Sequence, residues 1–143
     1  MKKGGRGGAS TKTGLIFEKD TDLSDEINKY KDFKALNNEV FYKEKKIAIL
    51  CKQHKIYSIL CQKLNVNWRN ILSQRLLPDE AIFFNKEKRC VIIEKKYQTG
   101  SGSVEEKLQT CEFKLYQYKR LLEPSGVSVE LIYVLNKSWF NNS

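Results

Sequence analysis

The clearest hydrophobic pattern lies between residues 104 and 122. Val104, Leu108, Cys111, Leu115, Tyr118 and Leu122 recur in steps of four and three, which puts one apolar stripe on a helix. Ser103 and Glu106 make a capping box at its start, and Pro124 and Gly126 mark its end. Residues 127–135 are rich in β-branched side chains and read as a largely buried strand. Ahead of the helix, residues 80–84 and 89–97 read as strands joined by a polar turn at 85–88, with the loop 99–102 leading into the helix. A helix of this length crosses over between strands, so the strand after it should lie parallel to the strand before it.

The first half is less sharply patterned. Residues 11–19 suit a short helix with Leu15 and Ile16 apolar. A second helix is expected after Ser24, capped by its side chain and running toward Leu36, where Asn37-Asn38 stops it. Residues 39–50 read as two extended pieces around a charged turn at 43–46, residues 55–64 as helical, and residues 68–72 as the start of another short helix. The resulting order, α–β–β–α–β–β–α–β without an internal repeat, is that of an α/β (α+β) fold.

Composition changes this picture in two ways. The 143 residues, 41% hydrophobic and 11% aromatic, suit one domain with its own core. No apolar run approaches a membrane span and none follows the basic N-terminus as in a signal peptide, so the expected location is cytoplasmic, away from membranes. The charge is +9, which favours a polyanionic partner, nucleic acid first. Residues 1–12 hold four basic residues and four glycines without an acid and read as a flexible basic arm or a lead-in to a helix, ahead of a single domain at 13–143. The P-loop's Gly-Lys-Ser/Thr is absent from this stretch.

The lone histidine, His54, excludes two-histidine metal chemistry and reads as a solvated residue. Cys51, Cys61, Cys90 and Cys111 form no C-x-x-C pair and sit in apolar surroundings, as reduced buried thiols do. A catalytic metal would then be a hard cation held by carboxylates.

Such carboxylates are present. Glu94 and Lys96 alternate onto one side of their strand, and the hairpin turn folds Asp79 back beside Glu94. Paired carboxylates suit Mg²⁺, and a nearby lysine can orient water and offset charge developing on phosphorus. Each residue also has an ordinary reading. Asp79 suits a turn after Pro78, Glu94 and Lys96 suit a cross-strand ion pair, and Glu18 suits a helix surface.

The Asp79…Glu94-x-Lys96 arrangement resembles the PD-(D/E)XK nuclease superfamily, and within it the type II restriction endonucleases. Three blocks carry the likeness: residues 4–18 (GGRGGASTKTGLIFE), 94–98 (EKKYQ) and 102–110 (GSVEEKLQT). The resemblance implies a restriction-endonuclease-like core, with a central mixed sheet of about four strands flanked by helices. It implies Asp79, Glu94 and Lys96 as catalytic residues, and Asp79, Glu94 and Glu18 as ligands of Mg²⁺, with Mn²⁺ as a substitute. Gln98, Glu105, Lys107 and Gln109 follow as supporting or DNA-contact residues. Lys12, Lys43, Lys45, Lys46, Lys86, Lys88 and Arg89 read as phosphate contacts flanking the active groove. The implied partners are double-stranded DNA, a second copy of the chain in a homodimer, and a cognate DNA methyltransferase. Two alternatives stand beside restriction: a structure-specific repair or recombination nuclease, and an inactive DNA-binding relative. The chain ends soon after the last predicted strand, where such enzymes usually carry more, so base reading falls to residues 20–75 or the chain is a shortened relative.

Overall fold

The computed structural model describes residues 7–97 and 110–136, with side chains from residue 14 onward. Helix α1 (Gly7–Asp20) starts inside the glycine-rich segment, so residues 7–12 are helical rather than a flexible arm. A short α2 (Leu23–Ile27) follows, then strands β1 (Phe33–Leu36), β2 (Glu39–Tyr42) and β3 (Lys45–Cys51). An excursion holding a π-helical segment (Ile56–Cys61) and a 3₁₀ turn (Trp68–Asn70) leads to β4 (Glu80–Phe84) and β5 (Arg89–Lys96). Helix α3 (Cys111–Leu122), a 3₁₀ turn (Glu123–Ser125) and β6 (Ser128–Leu135) complete the described chain.

The six strands form one mixed sheet in the order β1-β2-β3-β4-β5-β6. Every neighbouring pair is antiparallel except β5–β6, which is parallel across the α3 connection, as the crossover argument requires. The architecture is α+β, and the expectation of about four strands is corrected to six.

The residue pattern predicts five strands, and the sixth is β1, where the sequence reads as the continuation of a helix. That helix ends at Ile27 because the next side chain turns to the sheet. Asn28 donates its amide to the Ala35 carbonyl (3.2 Å) and accepts from the Ala35 N–H (2.8 Å). Its N-cap is Asp22, which accepts from the Asp25 N–H at 3.1 Å, and not Ser24. Asn37 and Asn38 both adopt positive φ (52° and 62°) and form a two-residue hairpin turn between β1 and β2. Lys43 and Glu44 do the same (48° and 66°) between β2 and β3.

Alternation divides the core between the two sheet faces. Ile49, Cys51, Ala81, Phe83, Cys90 and Ile92 point toward α3 and the β3–β4 excursion, which cover them with Tyr118, Leu121, Leu122, Ile56 and Leu60. Val40, Ala48 and Leu50 point the other way, under Leu23 and Ile27. All four cysteines are free; three are buried and Cys111 is half-buried. Burial pushes the Cys90 thiol up to about 12 and those of Cys51 and Cys61 to about 11, as inert core thiols require.

Strand β6 departs from the buried expectation. Only Val129 is buried on it, and Ile132 is 45% exposed, because β6 ends the sheet. The start of the long helix and its capping box lie outside the described residues. Among the described residues, no helix is long and apolar enough to cross a membrane.

Candidate active site at the open end of the β4–β5 hairpin

Glu80 pairs with Ile93 in the β4–β5 ladder, so the residues one step farther out, Asp79 and Glu94, are neighbours. The Asp79 Oδ2 accepts from the Lys95 N–H at 2.6 Å and closes the ladder. Lys96 Nζ stands 3.3 Å from Glu94 Oε2 and 3.9 Å from Asp79 Oδ2. The structure therefore brings Asp79, Glu94 and Lys96 together.

Glu18 approaches Asp79 from α1. The ring of Phe17 packs on Tyr97 with centroids 5.5 Å apart, which brings the end of α1 to the end of β5. Glu18 and Asp79 line one cavity of about 290 Å³ with Asp22, Lys52, Glu80 and Lys95. Partial burial raises the Glu18 pKa, the Asp79 charge adds to the rise, and Lys96 and Lys95 oppose it. Glu94 is 3% exposed. Desolvation raises its pKa, Lys114 and Lys96 pull it down, and Asp79 adds to the rise. A buried carboxylate is costly unless its charge is compensated, and carboxylates with raised pKa values cluster at chemical sites.

Three residues around this cluster escaped the sequence reading. Lys114 of α3 places Nζ 3.8 Å from Glu94 Oε1. Tyr133 sits opposite Glu94 in the β5–β6 ladder, and its hydroxyl is buried without a hydrogen-bond partner among the described residues. Lys95 points to the opposite face. Its Nζ meets Glu80 Oε2 at 2.6 Å and donates to the carbonyls of Thr21 (2.8 Å) and Glu18 (3.2 Å). Glu80 in turn accepts from the Leu23 N–H at 3.0 Å and lies 3.8 Å from Lys52, which also pairs with Asp22. This buried knot clips the C-terminal end of α1 to β5 and so positions Glu18. The signal was in the sequence. Lys95 shares its strand face with the apolar Val91 and Ile93, so it required a buried acid, and Glu80 is the acid on that face.

The other candidates fall elsewhere. Lys86, Lys88 and Arg89 lie at the turn of the β4–β5 hairpin, the end opposite Glu94. The five residue steps from Arg89 to Glu94 span about 17 Å of strand. Lys43, Lys45 and Lys46 lie at the β2–β3 turn, on that same far end of the sheet. These lysines and Arg89 therefore do not flank the acids, because a hairpin's turn and its open end are its two extremes. Lys46 is held by Glu39 (2.7 Å), and Arg89 is held by Glu130 through two hydrogen bonds of 3.1 and 2.8 Å. Gln98, Glu105, Lys107 and Gln109 lie outside the described residues, as does the side chain of Lys12. His54 is exposed, as expected.

The donor set of Asp79, Glu94 and Glu18 is all oxygen and fits a hard divalent cation. Among the described residues, however, no three such groups stand together at metal-holding distance. The Lys96 ammonium occupies the space between Asp79 and Glu94, so a shared cation requires it to withdraw. No protein-family model matches the chain, and neither a curated protein nor a solved structure does.

Proposed function

We propose that this chain is a Mg²⁺-dependent DNA endonuclease with a restriction-endonuclease-like core, of the type II kind that cuts duplex DNA at a specific sequence. The observation that carries the proposal is the convergence of Asp79, Glu94 and Lys96 at one sheet end, with Glu18 beside Asp79, in a chain of charge +9. Acids in a basic nucleic-acid-binding protein repel phosphate unless a cation lies between them.

In this reading Asp79 and Glu94, with Glu18, hold the metal. When bound, Mg²⁺ supplies Lewis acidity toward the phosphate and lowers the pKa of a water. Lys96, withdrawn from the carboxylates, orients that water by hydrogen bonding and offsets the charge that grows on the phosphoryl oxygens. The water oxygen bonds to phosphorus and gives up a proton to solvent, the bond from phosphorus to the 3′ oxygen breaks, and the leaving oxygen takes up a proton from solvent. Burial raises the Glu94 pKa, so a cation held beside this carboxylate competes with its proton, and metal binding strengthens as pH rises. A homodimer acting on a two-fold symmetric site, paired with a protective DNA methyltransferase, completes the restriction reading.

One observation favours an inactive DNA-binding relative instead. Lys96 already serves as counter-ion to both acids, so their charge has a cation beside it without metal. Digestion of plasmid DNA with added Mg²⁺ by wild type, Asp79→Ala, Glu94→Ala and Lys96→Ala decides. The nuclease reading expects discrete fragments from wild type and loss of cutting by about 100-fold or more in each variant. Equal activity in all four proteins defeats it. Cutting at branches or ends rather than into discrete fragments assigns the chain to structure-specific repair.

A further inference from the structure

The excursion between β3 and β4, residues 52–78, holds five Lys or Arg, six Asn or Gln, one His and no Asp or Glu. The chain's 17 acids all lie outside these 27 consecutive residues. The excursion leaves the sheet at Cys51 and returns next to Asp79, and the Gln53 N–H donates to the Pro78 carbonyl at 3.0 Å, tying its ends together. It is therefore anchored at the acidic end of the sheet.

Its inner side is packed and its outer side is polar. Ile56, Tyr57, Leu60, Cys61 and Leu72 join the core. The Tyr57 hydroxyl donates to the Leu76 carbonyl (2.7 Å) and accepts from the Leu76 N–H (2.8 Å), which fixes the returning limb. Trp68 packs on Tyr57 with ring centroids 5.5 Å apart. The guanidinium groups of Arg69 and Arg75 then stand over the Trp68 ring at 4.8 and 5.8 Å. Both arginines are exposed, and neither has an acidic partner among the described residues. Contact with the ring orients the two planar heads and leaves their N–H groups to face solvent. They edge an open cavity of about 520 Å³ together with His54, Gln62, Asn65 and Asn67.

We infer that this acid-free face, centred on Arg69 and Arg75, binds duplex DNA and holds it against Asp79 and Glu94. The inference rests on the nuclease reading and deepens it. Guanidinium groups engage phosphate, or the O6/N7 edge of guanine, through two parallel hydrogen bonds, and side-chain amides do the same for adenine. An exposed surface of planar donors and acceptors matches base and phosphate chemistry better than the apolar centre of a protein–protein interface. Arg75 lies four residues before Asp79, so their Cα atoms are at most about 15 Å apart, roughly four base-pair steps.

The test is anisotropy of a labelled DNA duplex at two salt concentrations without divalent metal, run beside the Mg²⁺ cleavage assay. Arg69→Ala and Arg75→Ala should each weaken binding about 10-fold. Both are exposed substitutions, so thermal melting should be unchanged. A Lys86→Ala/Lys88→Ala control, at the far end of the sheet, should weaken binding less. The surface is overturned if wild type binds no duplex, if the double arginine variant binds like wild type, or if the far-end control loses more. It is also overturned if single-stranded DNA, RNA or an acidic polypeptide competes better than duplex. Lost binding in the arginine variants without cleavage by any protein upholds the surface and defeats the nuclease reading. Cleavage by wild type and the arginine variants alike does the reverse.

Discussion

The two sides of β5 carry neighbouring charges with opposite fates. On one side Lys95 and Glu80 are both nearly inaccessible and fully engaged: the ammonium has a carboxylate and two carbonyls, and the carboxylate has a backbone N–H as well. On the other side Glu94 is as deeply buried, yet its lysines stand at 3.3 and 3.8 Å and its pKa is raised. The neighbouring Tyr133 hydroxyl has no partner among the described residues. A buried charge whose hydrogen bonds are complete holds the fold together. A buried charge with incomplete ones is held in readiness, and the cost is carried by the rest of the molecule.

The largest effect that bears on this contrast is on the engaged side. Lys95→Met leaves Glu80 buried without its cation and should lower the unfolding free energy by about 3–5 kcal/mol. Adding Glu80→Gln should recover much of the loss. Urea titration measures both, and a Lys95→Met protein as stable as wild type would remove the distinction between the two sides.

On the Glu94 side the sign reverses. A raised carboxylate pKa means that the native state holds its proton more tightly than the unfolded chain. The associated stability is fully present below the ordinary carboxylate pKa and is lost as pH rises through the elevated native value. Glu94→Gln escapes that loss. Without metal it should unfold at higher urea than wild type at neutral pH, and the advantage should disappear in acid. Added Mg²⁺ should stabilise wild type and leave Glu94→Gln unmoved. A variant weaker than wild type at neutral pH would show that Lys96 and Lys114 fully compensate the buried charge.

The smallest effect calibrates the other two. Arg89 and Glu130 form a two-point pair that is fully solvated. Arg89→Ala should leave the urea midpoint within error, because water screens such pairs. A clear shift there would mean that charge geometry, not burial, sets the energetics on both sides of β5.

The site was more legible than the sheet. Asp79, Glu94 and Lys96 could be placed together because the 85–88 turn fixes the hairpin register, and strand alternation does the rest. The parallel β5–β6 pair followed from the length of the helix between them. Strand β1 was not legible. It is four residues long with only Ala35 half-buried, so no alternation marks it, and it exists through pairing with β2 and through the Asn28 side chain. The Lys95–Glu80 knot was missed because a lysine in a strand reads as a solvent-facing residue until a helix is known to cover it. The basic turns were misplaced for a simpler reason: sequence shows charge density but not which end of a sheet it occupies.

The β2–β3 turn has a consequence of a different kind. Lys43 and Glu44 hold left-handed backbone angles that asparagine and glycine adopt with ease and β-carbon-bearing charged residues do not. Asn37-Asn38 shows the better solution one hairpin earlier. Glu44→Gly should relieve this conformational tension and raise stability by up to about 1 kcal/mol, far from every acid of the candidate site. The molecule thus sits below its own thermal ceiling. A sturdier background made at this turn would let a crippled variant such as Lys95→Met be purified, so that its folding and its chemistry can be measured as separate quantities.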